Sequence, residues 1–319
     1  MPTSDMLFSD LGSPLPGGSS APESRDGDDE FNRVMEWFVA QTDLENRFSG
    51  VLRQSIDEVL DGQRTGRYKI DDLEKTEKTY LGTKVEIVCR AEFGFARGTK
   101  MDYQIEGVDV DAKFSLSAQW MIPREAMGHL CLLMTANEER ADFKVGLVRI
   151  CNEILNGGGN QDGKRGISSQ GKKGIRWIFD SGALQENLLF KLTSETLEAV
   201  MSVPPGQSRV DQLFQVVQGR IIDRNAVLTT GKQLDAPKRV RDSRKRLAPK
   251  GVIILGHQND SPRIAQDLGL PVPEKGKWVA VRVVPAPIGT SRPQVRIDGS
   301  SYVIAGPGDP CTPAPNIRY

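Results

Sequence analysis

The stretch MDYQIEGVDVDAKFSLS, Met101 to Ser117, restricts the fold of this chain more than any other. It reads as a β-hairpin: extended residues, a Glu106-Gly107 turn, then a second run. In that run Val108, Val110, Ala112 and Phe114 alternate with Asp109, Asp111 and Lys113. Side chains two apart on a strand share a face. One face is therefore apolar and packs inward, while two aspartates and a lysine share the other. Asp102 lies near the start of the first strand, and Asp111 and Lys113 lie near the end of the second. Antiparallel pairing across the turn brings those ends together. The polar face is either a solvated strand surface with cross-strand ion pairs or a place where a metal and a water are handled.

Upstream the spacing is helical. Leu44, Phe48, Val51, Leu52, Ile56, Val59 and Leu60 recur every three or four residues, and Gly62 closes the run. The pattern predicts a second short helix over Asp71 to Tyr80 and a third after Gly82, with Val85, Val88 and Cys89 on one face and Glu86 on another. Downstream, Gly128 to Ala136 and Phe143 to Ile150 are apolar runs of strand length. Helix, hairpin, then strands implies an α/β core: a mixed β-sheet flanked by helices. Residues 1–29 are rich in Ser, Pro, Gly and Asp, which predicts a disordered tail. Asn156 to Gly174 reads as a loop by composition and would place a domain boundary there. Beyond it, LQENLLFKLTSETLEAVMSV and VDQLFQVVQGRII read as helices and GVIILGH as a buried strand. SPRIAQDLGLP reads as a short helix with Ser261 as N-cap, Pro262 first inside and Gly269 as stop. That is the form of the first half of a helix-turn-helix. WVAVRVVP and SYVIAG are closing strands that suit a winged arrangement.

Composition narrows the function classes. No apolar run approaches the ~20 residues of a membrane helix, and no basic start followed by an apolar stretch marks a secretory signal. The four cysteines are far apart with no Cys-x-x-Cys, and only His129 and His257 are histidines. A zinc site, a disulfide framework and a His-rich metal site are therefore not expected, and a reducing cytoplasm is. Net charge is zero, but from Lys164 to Lys250 there are 17 Lys and Arg against 8 Asp and Glu. The densest part is KRVRDSRKRLAPK, Lys238 to Lys250. Such an excess suits a nucleic-acid partner or a solvated loop.

Two carboxylates at one end of a hairpin, with a lysine two residues on, suit Mg2+. That ion takes one or two carboxylates, a carbonyl and several waters, and leaves room for a phosphate. Asp102 and Asp111 are the candidate ligands, with Glu86 on the preceding helix completing the shell. Lys113 would hold or activate the attacking water. Asp109 shares the face but sits a pleat from Lys113, and is read as peripheral. A bare Asp-x-Lys is frequent by chance.

The pattern Glu86, Asp102, Asp111-Ala112-Lys113 resembles the PD-(D/E)xK nuclease site. More widely, the chain resembles the NaeI restriction endonuclease family. The likeness lies in LDGQRTGRY, KTEKT, GTKVEI, DYQIEGVDVDAKFS, LQENLL, GVIILGHQNDSPRIAQDLGLPVPEKG and PGDP, spread over residues 50–310. It implies a type IIE restriction endonuclease with Mg2+ as cofactor, in which Glu86, Asp102, Asp111 and Lys113 are catalytic and the three acids hold metal. Ala112 stands where the family can have cysteine; its carbonyl, not its side chain, would face the metal. The resemblance further implies a restriction-endonuclease-like domain over 30–177, a linker over 178–185, and a topoisomerase-like DNA-binding domain with a winged helix-turn-helix over 186–319. The expected partners are double-stranded DNA in two site copies, one cleaved and one an effector, and a second copy of the chain in a homodimer. GCCGGC is the expected target, and a cognate methyltransferase would protect host DNA. Arg239, Arg241, Arg244, Lys245, Arg246 and His257 are the candidate DNA contacts of the second domain.

Two other readings compete. A non-catalytic DNA-binding regulator would carry the acidic cluster only as structure. A strand-passing or ligating enzyme is disfavoured: ligation needs a lysine before the Asp-Gly of VLDG, and Val59, which stands there, cannot form a phosphoramide. The stretch reads better as a helix end.

Overall fold

The computed structural model describes residues 27–319. Most of the predicted tail lies outside these residues, but its last part does not follow the expectation. Asp28 caps helix α1 (Asp29–Val39), accepting from the Phe31 nitrogen at 3.0 Å, and pairs with Arg149 at 2.5 Å. The chain continues through α2 (Leu44–Leu60), α3 (Gly62–Thr65) and α4 (Lys75–Phe93). Then come β1 (Tyr103–Ile105), β2 (Val108–Phe114), β3 (Met121–Ile122), β4 (Leu130–Asn137), β5 (Asp142–Arg149), β6 (Arg165–Gly166), α5 (Ser169–Lys172) and β7 (Arg176–Ala183).

The hairpin forms as the pattern requires. Glu106 and Gly107 both have positive φ, +48° and +76°, the type I′ geometry that matches strand twist. Tyr103 pairs with Val110 and Ile105 with Val108. The five-stranded sheet has the order β1-β2-β4-β5-β7. Only β2 and β4 are parallel, so the sheet is mixed. Helices α1, α2 and α4 cover one face, where Phe38, Phe48, Leu52, Ile56 and Val85 meet Tyr103, Val110, Leu132 and Val145. Trp120, Cys131, Leu133, Val148, Ile150 and Ile175 fill the other face. Burial on both sides explains why β4 reads as an unbroken apolar run rather than an alternation.

Helix α4 corrects the predicted break at Gly82. It starts at a capping box, Glu74 with Glu77, and runs through the glycine without interruption. A helical glycine costs about 1 kcal/mol against alanine. Leu81, Val85 and Val88, buried in the first core on either side of it, outweigh that cost.

The second half contains α6 (Ser194–Met201), α7 (Gln207–Val216), β8 (Ile221–Asp223), α8 (Arg224–Gly231), α9 (Ala236–Leu247), β9 (Val252–Leu255), α10 (Ser261–Asp267), β10 (Lys277–Pro285), β11 (Gln294–Ile297) and β12 (Ser300–Ile304). Strands β8 and β9 both pair antiparallel with β10, and β12 and β11 extend the sheet from its far end. Helices α7, α8 and α9 pack on this sheet through Leu213, Phe214, Val227 and Val240. Among the described residues no helix is long and apolar enough to cross a membrane.

Three further expectations need correction. Residues 178–183, read as part of a linker, are the end of strand β7, and Ile178 and Phe179 pack on the first core. Leu184 to Lys191 is not helical. Its helix-like spacing arises because Leu184 belongs to the first core whereas Leu188 and Leu189 belong to the second, so the chain is crossing between them. Third, α10 has Asp260 rather than Ser261 as N-cap, and no second helix follows it. The adjacent helix pair is α8 and α9, joined across residues 232–235. The basic cluster is largely α9 itself, buried only at Ala236, Val240, Ser243 and Leu247. The VLDG stretch is a helix end, as expected. Gly62 is needed there because a Cβ would lie 2.2 Å from Thr229 Oγ1 of α8, where the two halves touch.

Candidate active site

The free end of the β1–β2 hairpin carries the candidate chemistry. Asp102 immediately precedes β1, and its Oδ2 accepts the Ala112 backbone N–H at 2.8 Å. That bond ties the two ends of the hairpin together. Asp111 and Lys113, two apart on β2, point to the same side: Lys113 Nζ lies 2.6 Å from Asp111 Oδ1. The same ammonium is 2.9 Å from the Ala112 carbonyl and 3.5 Å from Asp102 Oδ2. Three oxygens thus converge on one cation. The Ala112 side chain is buried in the core beneath, leaving only its carbonyl on the polar side.

Asp111 is 4% exposed because β4 runs beside it in parallel register, with Cys131 opposite. The Cys131 thiol reaches Asp111 Oδ2 at 3.8 Å. Burial pushes the Asp111 carboxyl up to about 6, against the pull of Lys113. Burial alone would lower Lys113, but Asp111 beside it outweighs this and holds it above the usual lysine range. Glu86 comes from α4. Partial burial, and then the neighbouring Asp102 carboxylate, raise it. Its helix is pinned to the hairpin by Tyr103, whose buried hydroxyl donates to the Glu86 backbone carbonyl at 2.9 Å. Glu86, Asp102, Asp111 and Lys113 are therefore brought to one place.

Asp109 has a role that the sequence reading missed. Its carboxylate accepts the backbone N–H groups of Thr99 and Lys100, each at 2.9 Å. It staples the loop that leads into Asp102. Gly98 completes the turn: a Cβ there would lie 2.4 Å from the Met101 carbonyl. A carboxylate facing a Gly-Thr-Lys loop ten residues upstream was the signal available.

The Restriction endonuclease NaeI family matches residues 32–313. The chain belongs to the NaeI restriction endonuclease family. A type II restriction enzyme NaeI from Lentzea aerocolonigenes is 44% identical over 301 residues, covering 91% of this chain and 95% of that protein.

The polar side of the hairpin in this NaeI-family chain offers oxygens that suit a divalent cation. Among the described residues no group of three His, Cys, Asp or Glu side chains is arranged to hold a metal ion. Mg2+ does not need one: two carboxylates and a carbonyl suffice, with water filling the rest. Asp102, Asp111 and the Ala112 carbonyl already converge on the Lys113 ammonium, so this donor set fits the ion.

The candidate DNA contacts of this NaeI relative divide into two groups. Arg241 and Lys245 are exposed, and together with Lys238 they occupy one side of α9 at helical spacing, without ion-pair partners among the described residues. His257 is exposed in the turn after β9. Arg246 is held by Asp211 at 2.5 Å, and Arg239 by Gln207 at 3.3 Å. Arg244 points inward: it stacks on Tyr319 at 3.9 Å and donates to the Ile254 carbonyl at 2.9 Å. Burial lowers it to about 10. As placed, Arg244 is a packing residue and is not offered to DNA.

Proposed function

We propose that this chain cleaves both strands of DNA at a GC-rich palindrome, with Mg2+ as cofactor, leaving 5′-phosphate ends. As a member of a restriction endonuclease family it is a site-specific deoxyribonuclease of type II. The observation that carries the finer reading is the convergence of Asp102, Asp111 and the Ala112 carbonyl on the Lys113 ammonium.

Asp102, Asp111 and the Ala112 carbonyl would hold Mg2+, which would neutralise charge on the scissile phosphate and acidify a water. Lys113, held by Asp111 at 2.6 Å, carries the ammonium placed beside those oxygens. In this reading its ammonium holds the attacking water in line; the water oxygen bonds to phosphorus as the bond to the 3′ oxygen breaks, the water's proton passes to solvent, and the 3′ oxygen takes a proton from solvent. Asp102 is aimed by the Ala112 N–H, and Asp111 by its buried place on β2. Glu86 adds negative charge beside Asp102 and orders water at the rim.

The second half supports a DNA-binding role. A helix pair, α8 and α9, packed on the three-stranded arrangement β8-β10-β9, has the order of a winged helix-turn-helix. The exposed Lys238, Arg241 and Lys245 then face the duplex. A nuclease unit ends with β7 and a DNA-binding unit begins near Leu188. In this reading the second unit binds an effector copy of the site, and a homodimer gives each strand its own cutting centre. GCCGGC is the target expected from the family likeness, with host DNA protected by a methyltransferase that need not bind this chain.

The test is to incubate supercoiled plasmid with and without Mg2+ and map the ends. Discrete linear fragments with 5′-phosphates, formed only with the metal, are expected. Relaxed topoisomers or unchanged plasmid would overturn the proposal, the latter in favour of a non-catalytic regulator.

A further inference from the structure

The Gly-rich segment 156–176 carries five Lys and Arg and one acid, and nothing above uses that charge. Composition suggests a loose loop, but the segment forms a small two-stranded sheet with β3, which follows the catalytic strand in the chain. Strand β2 ends at Phe114, one residue after Lys113. The Met134 carbonyl then accepts both the Ser115 N–H at 3.1 Å and the Trp120 indole N–H at 2.9 Å, folding the chain back under the strand end. Strand β3 follows directly and pairs with β6, Met121 opposite Gly166 and Ile122 opposite Arg165. Lys172 of α5 lies over the same Trp120 ring, at 5.8 Å. From Lys113, then, the path to β6 and α5 runs through one carbonyl and one indole.

The element is also rigid. Ser168 Oγ accepts the Gly171 N–H at 2.9 Å, and the Ser168 N–H donates to the Ile154 carbonyl at 2.8 Å. Gly171 sits so close to this backbone that a Cβ would come within 2.2 Å of the Ile154 oxygen. Arg165 is spent internally on the Asn156 carbonyl and Asn152 Oδ1. Lys164 and Lys173 are exposed and Lys172 half-buried, and none of the three has an ion-pair partner among the described residues. A fixed turn that spends its arginine on its own backbone and leaves three ammonium groups unpaired near the cutting centre is suited to a polyanion.

We propose that the β6–α5 turn grips the phosphates of the duplex being cut, through Lys164, Lys172 and Lys173. This rests on the nuclease reading above and adds the surface on which the substrate lies. The contact is with backbone, since ammonium groups act on phosphate as point charges, and it positions the scissile phosphate over Asp111 without reading sequence.

The test uses the full chain, in excess over a duplex carrying two copies of the site so that an effector copy is present, and measures the concentration for half-maximal cleavage against NaCl in Mg2+. Each phosphate contact contributes a slope of about 0.9 in log–log form, so a change per protomer is doubled when both protomers of a dimer lie on the duplex. The triple variant Lys164→Ala/Lys172→Ala/Lys173→Ala is expected to lower the slope by about 2.7 per protomer. The double variant Lys164→Gln/Lys173→Gln, confined to exposed positions, is expected to lower it by about 1.8 per protomer and serves if the triple variant does not fold. Arginine at the same positions is expected to restore it. An unchanged slope in the double variant overturns the assignment. A wild-type chain that does not cut defeats the nuclease reading itself, which is a different result.

Discussion

Lys113 and Asp111 are joined at 2.6 Å, although they are only two residues apart on one strand. Residues so spaced on an isolated strand share a face without being pressed together. Here β4 covers Asp111 and the Ala112 carbonyl closes the third side, so the ammonium has one place to go. A buried carboxylate and a cation that can be exchanged are what a metal-assisted phosphodiesterase needs.

The first expectation concerns that lysine. Lys113→Ala should keep DNA binding and lower the cleavage rate by at least about 100-fold, or about 2.7 kcal/mol of transition-state stabilisation. Single-turnover cleavage beside a gel-shift assay measures both. Asp111→Ala should abolish cleavage at any Mg2+ concentration. Undiminished cutting by Lys113→Ala removes the residue from the mechanism.

Asp111, pushed up to about 6 by burial, should set the acid limb of the rate profile. Protonated, it cannot hold a cation; ionised, it can. Cleavage should therefore fall as pH drops through about 6, and the midpoint should move lower as Mg2+ is raised, because metal and proton compete for one carboxylate. The same direction governs stability. The folded state holds this proton more tightly than the unfolded chain, so Asp111 destabilises the metal-free fold increasingly as pH rises from the ordinary carboxylate range towards 6. A midpoint indifferent to Mg2+ would separate the titration from the metal.

Asp109 should behave as a positioning residue. Asp109→Ala frees the Thr99 and Lys100 N–H groups, and solvent there limits the loss of stability to about 1 kcal/mol. The larger effect should be on the Mg2+ concentration required, since the loop that aims Asp102 loses its staple. Urea unfolding and a Mg2+ titration of cleavage separate the two. An unchanged titration would leave Asp109 a loop residue only.

Two arginines three apart on α9 should give opposite phenotypes. Arg244→Ala removes the Tyr319 contact and the bond to the Ile254 carbonyl, and is expected to cost about 2 kcal/mol of stability. Arg241→Ala should alter stability by less than about 0.5 kcal/mol, while reducing the salt slope of DNA binding by about 0.9. Thermal unfolding and binding at several salt concentrations test the pair; the reverse pattern would mean that α9 presents its other side.

Much of the site was legible in the chain because it is local. The Glu106-Gly107 turn, the alternation of β2 and the helical spacing of Leu44 to Leu60 each lie within one element. Such periodicity survives in sequence where an element turns one face to the core and the other away from it. Glu86 was within reach for the same reason, standing on a helix whose buried face was plain. The family likeness extended this to the second half.

Other features were decided by contacts between distant residues. Gly82 does not break α4, because Leu81 and Val85 on either side of it are buried in the first core. Leu184, Leu188 and Leu189 imitate a helix face but belong to two cores. The charges of α9 conceal four buried residues, and only packing on α7 and β9 shows that Arg244 turns inward while Arg241 does not. Sequence alone determined the hairpin strands, the helical run of Leu44 to Leu60 and which acids share the hairpin, since backbone geometry sets those periods. Tertiary structure alone decided which charges are buried, paired or free, because that depends on what another part of the chain places against them.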